Sequence, residues 1–140
     1  MGSTLILTGD VNLLGVEDTT VPFRRVTDTL RQADMVFGNL ECCLYDPAMP
    51  RGKMMPDLVS GYDGFWAPTA TGTALTHAGF HCVGNANNQN YGHKAIVSSN
   101  TCLDTLGIPH VGTGINRDEA RKPAVITRNG RRYGFLQRTC

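Results

Sequence analysis

Short apolar runs recur along the chain, and the first three of them end at a glycine followed by a polar residue. Apolar and β-branched runs of this length, bounded by glycine, are typical of short buried strands. The polar residues that follow them are Asp10, Asn39 and Asn85. The predicted strands are Thr4–Thr8, Met35–Phe37, His81–Val83 and Ile108–Val111.

Helical periodicity fills the intervals between these predicted strands. After Pro22, which suits the first position of a helix, apolar residues recur every three or four positions and arginines occupy the other face. Gly79 and Gly107 are well placed to end the second and third helices. The predicted helices are Pro22–Ala33, Pro68–Gly79, His93–Leu106 and the short Arg117–Arg121.

The alternation of strands and helices predicts an α/β fold with a mainly parallel sheet. Asn129-Gly130 lies between the apolar runs Ala124–Thr127 and Tyr133–Leu136 and predicts a C-terminal hairpin. Tyr45–Trp66, which contains three prolines and three glycines, is expected to be a long loop. In folds of this class, ligands bind beyond the carboxyl ends of the parallel strands.

Composition places the chain among ordinary globular proteins. Its 140 residues are 41% hydrophobic and 18% charged, with a net charge of +1, and this length suits a single domain over residues 1–140. No apolar run approaches the roughly 18 residues of a membrane span. The N-terminus lacks a basic segment followed by an apolar stretch, so the chain as written is expected in the cytoplasm.

Positive charge concentrates near the C-terminus, where residues 117–138 carry seven basic and two acidic side chains. One interpretation is a solvated surface. The other is attraction of an anionic polymer or a phosphate group, with Arg131 and Arg132 as candidate substrate-binding residues. Nucleic acid is not an expected partner, because the sequence contains no recognition motif.

Oxygen-bearing side chains follow the predicted strands and would converge on one crevice of a parallel sheet. Carboxylate and amide oxygens ligate magnesium, manganese, calcium or zinc, and such a cation can generate a nucleophilic hydroxide. The alternative, that these residues only cap the helices that follow, stays open on spacing alone. The residues are Asp10, Asn39, Glu41, Asn87 and Asn88.

Five irregularly spaced cysteines are expected to be reduced thiols, since the sequence has no secretory signal and no C-x-x-C pair. A zinc site that joins the adjacent Cys42 and Cys43 to Cys82 or His81 is the alternative interpretation.

The segments that contain the strand-end residues occur in a recognisable order. They are Leu7–Asn12, Ala33–Glu41, Ala86–Asn88 with Tyr91-Gly92, Leu103–Gly114, Glu119–Pro123 and Gly134–Leu136. Together they resemble the bacterial capsule-synthesis family CapA, which is associated with poly-γ-glutamate production. The resemblance spans nearly the whole chain.

The resemblance implies a branch of the calcineurin-like metallophosphoesterases, whose core is a layered α/β sandwich with a two-metal site at the strand ends. Asp10 would match the aspartate of the first motif, with Asn12 in the place of its histidine. Asn39 and Glu41 would match the second motif, and Asn88 would match the asparagine of the third. The implied cofactor is a divalent metal ion held by Asp10, Asn39, Glu41 and Asn88.

Two departures from the family pattern affect the expected activity. Gln89 stands where the family commonly has a histidine, and glutamine cannot exchange a proton near neutral pH; His93 would then have to approach from the next helix. The later histidine motifs of the superfamily are also absent from this sequence. The chain is therefore expected to be the N-terminal half of a sandwich, truncated at its C-terminal side and inactive alone.

Two functions remain open from the sequence. The first is metal-assisted hydrolysis of a phosphoester or amide-type bond in capsule or poly-γ-glutamate biosynthesis, if the domain is complete. The second is a noncatalytic module that binds an anionic polymer such as polyglutamate through residues 117–138. A homo-oligomer or a completing chain is an expected partner, and family members are often envelope-associated. The candidate substrate-binding residues are Asn87, Gln89, Arg131 and Arg132.

Overall fold

Four parallel strands form the central sheet of the computed structural model, which describes residues 2–47, 66–88 and 92–139. In spatial order these strands are β1 (Leu5–Val11), β2 (Met35–Leu40), β5 (Cys82–Gly84) and β6 (His110–Val111). This order confirms the predicted α/β fold with a mainly parallel sheet. A separate pair of two-residue strands, β3 (Cys43–Leu44) and β4 (Trp66–Ala67), is also parallel.

Helices cover one face of the central sheet. Val36 of β2 and Val83 of β5 are fully buried in one cluster with Leu30, Leu75 and Leu103 of the helices. Hydrophobic burial of this face is the main favourable contribution to folding. The helices are α1 (Thr27–Arg31), α2 (Thr73–Ala78), α3 (Gly92–Thr105) and α4 (Arg117–Ala120), and a 3-10 turn over Thr69–Gly72 precedes α2.

The C-terminal hairpin that the sequence predicts is present, and it packs on the opposite face of the sheet. Its strands are β7 (Ala124–Arg128) and β8 (Arg131–Phe135), and its turn residues Asn129 and Gly130 both have positive φ, 51° and 72°. Such a turn matches the twist of an antiparallel pair. The ring of Phe135 stacks on Phe37 of β2 with 4.9 Å between the centroids, which fixes the hairpin against the sheet.

The first predicted helix is shorter than the sequence indicates. Only Thr27–Arg31 is α-helical, and residues 22–26 form turns. Phe23 packs edge-to-face on Phe80 with 5.3 Å between the ring centroids, but Val26 is about half exposed, so only part of the predicted apolar stripe is held against the core. The periodicity therefore predicted the right element and the wrong starting point.

The predicted strand ends also differ from the structure. β1 continues through Gly9 and Asp10 to Val11, and β2 continues to Leu40, so Asp10 and Asn39 lie within their strands. The fourth predicted strand is shorter, since only His110 and Val111 pair with β5. Of the predicted long loop, residues 48–65 lie outside the described part of the chain.

Four cysteines fall within the described residues, and no disulfide joins them. Burial raises the pKa of Cys42 to about 11 and that of Cys82 to about 12, and it also raises the pKa of Cys102. Thiols of this kind behave as small apolar side chains. Within the same described residues, no helix is long and apolar enough to cross a membrane.

Substitution of Gly38 tests the close contact between β2 and its neighbours. A Cβ at this position would lie 2.7 Å from both Phe80 Cε1 and Thr8 Oγ1, so Gly38→Ala is expected to lower the free energy of unfolding by roughly 1–3 kcal/mol. Denaturant unfolding measures the change. Gly134→Ala is the matched control, because a Cβ there meets no atom within 4 Å. Equal stabilities of the two variants would contradict the packing described for β2.

Alkylation tests the burial of the thiols. Because the thiolate is the reactive form, Cys42 and Cys82 are expected to resist iodoacetamide in the native protein at about pH 8, where their raised pKa values leave little thiolate. Both should label rapidly after unfolding in guanidinium. Site-resolved mass spectrometry distinguishes the positions, and equal native and unfolded labelling rates at Cys82 would overturn the prediction.

Candidate functional site

Asp10 and Asn39 meet at the carboxyl ends of the first two strands. The two residues are register partners in the parallel pairing of β1 with β2, and Asn39 Nδ2 donates a hydrogen bond of 2.7 Å to Asp10 Oδ1. Asp10 is exposed and Asn39 is half-buried. The sequence prediction that these two side chains converge is matched by this contact.

A β-bulge in β1 creates the contact. Leu7 pairs with Phe37 whereas Asp10 pairs with Asn39, so three steps along β1 correspond to two along β2. Without the extra residue, Asp10 would lie opposite Leu40, a fully buried core residue. Bulges of this kind redirect a side chain near functional sites, and here the bulge places the carboxylate beside the Asn39 amide.

Gln137, two residues beyond β8, extends the contact across the sheet. Its Nε2 donates to Asn39 Oδ1 at 2.7 Å, and its Oε1 accepts from the Ala86 backbone N–H at 2.9 Å. We call this series of hydrogen bonds, from Ala86 through Gln137 and Asn39 to Asp10, the amide relay. Gln137 is not among the residues predicted from the sequence, because a polar residue after a hairpin strand carries no signal of its partners.

Gly84 leaves the space that Gln137 occupies. Gly84 is buried on β5 as the register partner of Asn39, and a Cβ on it would overlap Oε1 and lie 2.5 Å from Cδ of Gln137. A strand residue with no side chain is expected where another group approaches the backbone closely. Gly84 therefore has a role at the site, although the sequence indicated only a strand terminus.

The other predicted ligands are not joined to this pair. The Glu41 backbone N–H donates to Val11 at 2.9 Å, and Asn88 is exposed. Among residues 2–47, 66–88 and 92–139, neither the Glu41 nor the Asn88 side chain hydrogen-bonds to Asp10 or Asn39. Asn12, in the position that the resemblance gives to a histidine, accepts from the Leu14 backbone N–H at 2.9 Å and so stabilises a local turn.

The residues predicted after β5 have different surroundings. Asn87 Nδ2 donates to the Leu40 carbonyl at 2.8 Å, which holds the loop after β5 to the end of β2. Gln89 lies outside the described residues. His93 is exposed at the second residue of α3.

The basic segment divides into two groups at opposite ends of the hairpin. At the turn, Arg131 Nη1 donates to Ser3 Oγ at 2.8 Å, and Asn129 Nδ2 donates to Asp34 Oδ1 at 2.5 Å. Ser3 and Asp34 precede β1 and β2, so Arg131 lies at the amino ends of these strands, away from the amide relay. Exposed Arg132 pairs with Thr127 near the same turn.

The second basic group lies beside Gln137. Arg138 donates to the carbonyls of Ala120 and Arg121, at 3.4 and 3.2 Å, which brings Arg138 next to the end of α4. Arg121 and Lys122 are exposed there. This second group thus lies at the end of the hairpin that carries Gln137, whereas Arg131 and Arg132 lie at the turn.

Two groups at the amino ends of the strands, Asp34 and His81, have shifted pKa values. Hydrogen bonds from the Thr4 backbone N–H and from Asn129 lower the pKa of Asp34, and the nearby Arg131 and Arg128 add to this effect. Just before β5, His81 accepts from the Val36 backbone N–H at 3.0 Å, and burial lowers the pKa of His81. His81 is thus a neutral acceptor that holds two strands together.

The arrangement can be tested for a fit to the divalent cation that the family resemblance implies. Asp10 and Asn39 have oxygens of a suitable type. However, Asn39 turns its NH2 group toward Asp10, and its oxygen is held by Gln137. Within the described part of the chain, no group of three or more histidine, cysteine, aspartate or glutamate residues could hold a metal ion. As arranged, the Asp10–Asn39 pair does not fit a cation, and among these described residues Cys42 and Cys43 belong to no such group.

The sequence of the chain matches a known protein family. The model of the family described as "Bacterial capsule synthesis protein PGA_cap" matches residues 4–140. Two proteins of Sinorhizobium fredii (strain NBRC 101917 / NGR234) are similar: Uncharacterized protein y4sH is 28% identical over 139 residues, and Uncharacterized protein y4uA is 29% identical over 135 residues. Each match covers 93% of this chain and 29% of the relative. Because the family match extends over the whole sheet and hairpin, the chain belongs to the bacterial capsule synthesis protein family PGA_cap.

Proposed function

We propose that this capsule-synthesis domain takes part in metal-assisted hydrolysis of a phosphoester or amide-type bond, including bonds of poly-γ-glutamate. The observation that carries the proposal is the 2.7 Å contact of Asp10 with Asn39 at the carboxyl ends of parallel strands, where α/β folds bind their ligands. The chain spans 29% of the length of its relatives, and the proposal concerns the whole protein in which these strands occur.

The chemistry available at the pair supports binding of a cation only after rearrangement. Asp10 is exposed, and among the described residues its side chain hydrogen-bonds only to Asn39. One carboxylate oxygen thus remains open to solvent. Manganese, magnesium, calcium or zinc would require further oxygen or nitrogen ligands, for which Glu41 and Asn88 are the candidates in neighbouring segments.

A second candidate function is noncatalytic binding of an anionic polymer. The specific observation in its favour is the separation of the basic segment into two groups, one at the hairpin turn and one beside Arg138. A five-residue strand is roughly 17 Å long, so the two groups match a polymer with repeated carboxylates better than a single small anion. Arg131 and Arg132 belong to the turn group, whereas Arg121, Lys122 and Arg138 form the other.

Removal of the Asp10 charge tests the hydrolytic proposal. Asp10→Asn keeps the shape of the side chain but removes the charge, and we expect manganese affinity to fall about tenfold or more, with a matching loss of phosphodiesterase or polyglutamate hydrolysis. Metal analysis by mass spectrometry and the two activity assays provide the measurements. Asp28→Asn, on the exposed side of α1, is the control of equal charge. No bound metal together with identical rates in both variants would refute this proposal.

Charge reversal at the hairpin turn tests the polymer-binding alternative. Arg131→Glu with Arg132→Glu is expected to weaken binding of labelled polyglutamate several-fold, because exposed charge pairs contribute modestly and additively along a polymer. The binding should also weaken as salt rises from about 50 to 200 mM. Fluorescence anisotropy measures both effects. Arg24→Glu with Arg25→Glu makes the same charge change on another exposed segment, and an equal effect of this control would show that only net charge matters.

A further inference from the structure

The direction of the amide relay is fixed at both ends. At one end, the Ala86 backbone N–H can only donate, so Gln137 must present Oε1 to it and Nε2 to Asn39. At the other end, an ionised Asp10 carboxylate can only accept, so Asn39 must present Nδ2. Side-chain amides are assigned from such networks, and here both ends require the same assignment.

The donor end of the relay is firmly placed. Ala86 is 8% exposed and lies against Gly112, where a Cβ would come within 2.5 Å of the Ala86 Cβ. The Asn85 backbone N–H donates to the Val111 carbonyl at 2.8 Å. The position of the Ala86 N–H is therefore set by the packing of the segment after β5 against the end of β6, independently of Asp10.

We infer that Gln137 is a positioning residue that holds the NH2 side of the Asn39 amide toward Asp10 and opposes its turning over. This inference rests on the proposed cation-dependent function of the same site. As long as Gln137 donates to Asn39 Oδ1, the Asn39 NH2 group faces the carboxylate and competes with a cation for Asp10 Oδ1. An acceptor in place of the Gln137 NH2 group would turn the Asn39 amide over and direct its oxygen toward Asp10.

Gln137→Glu makes this change with little alteration in shape. At about pH 7.5 the new carboxylate still accepts from the Ala86 N–H but cannot donate to Asn39 Oδ1. Asn39 is then expected to donate to the new carboxylate, because position 137 is half-buried whereas Asp10 is exposed and can be solvated by water. The Asn39 oxygen then faces Asp10. A divalent cation would bridge them favourably, so manganese affinity should rise about tenfold or more.

The orientation of Asn39 can be measured without any metal. In the wild-type chain, NMR scalar coupling across the hydrogen bond should connect the Asn39 side-chain nitrogen to the Asp10 carboxyl carbon, with assignment by Asn39→Asp. In Gln137→Glu the coupling should move to the substituted side chain. Coupling that remains with Asp10 would overturn the inference. A role of Gln137 in stability alone would change the unfolding temperature and leave this coupling in place.

Manganese titration, followed by the electron paramagnetic resonance signal of free manganese, tests the consequence. Thr139→Glu adds the same charge on an exposed neighbour that takes no part in the relay, and an equal gain in affinity there would show a general charge effect and overturn the link to Asn39. In an Asn39→Asp background, Gln137→Glu should lose its specific gain, because no amide remains to turn over.

The two proposals fail in distinguishable ways. If no variant binds manganese but the Asn39 coupling moves in Gln137→Glu, the positioning role stands and the proposed cation-dependent function is refuted. If wild type binds manganese and the coupling does not move, the positioning role is refuted and the proposed function stands. Should Gln137→Glu unfold, Gln137→Met removes the donor that holds Asn39 Oδ1 and leaves the amide able to turn over when a cation binds. Manganese affinity should then rise by a smaller factor than in Gln137→Glu, and an affinity equal to that of wild type would overturn the positioning role.

Discussion

The parallel pairing of β1 with β2, with its one extra residue in β1, is the constraint on which the strand-end site depends. The register of β2 is fixed by the core, because Val36 and Leu40 are buried and a slip of one residue would expose both side chains. β1 must match this fixed strand at Leu7 and again at Asp10. The bulge resolves the mismatch and leaves a charged side chain in solvent instead of opposite Leu40.

Residues distant in sequence complete what the two strands begin. Gln137 and Asn39 are 98 positions apart, and they meet because Phe135 stacks on Phe37 and Asn129 hydrogen-bonds to Asp34 at the other end of the hairpin. A two-stranded hairpin is marginal alone in water. The amide relay therefore depends on packing of the hairpin against the sheet, and loosening of that packing would release Asn39.

The sequence predicted elements better than contacts. Periodicity is a local property, so it found the four strands of the central sheet, α3 and the Asn129-Gly130 turn, but not the two-residue strands β3 and β4. It did not reveal the bulge between Leu7 and Asp10, because register depends on the partner strand. The charge pattern made Arg131 a candidate for the same substrate as the strand-end residues, whereas β8 carries the chain from one end of the sheet to the other between Arg131 and Gln137. Gln137 could not be found in advance, since its role depends on the missing side chain of Gly84.

The direction of one amide separates the chemical possibilities of the site. A hydrogen bond from an amide to a carboxylate contributes about 1.5–3 kcal/mol, so a cation that displaces Asn39 Nδ2 from Asp10 loses about ten- to a hundredfold in affinity. That loss is small beside the range of affinities of metal sites, and modest changes at Gln137 or in neighbouring ligands can offset it. An anionic polymer would instead be repelled by Asp10 and attracted by the two arginine groups of the hairpin. The proposed cation binding and the proposed polymer binding would thus use different surfaces, so the two proposals do not exclude each other.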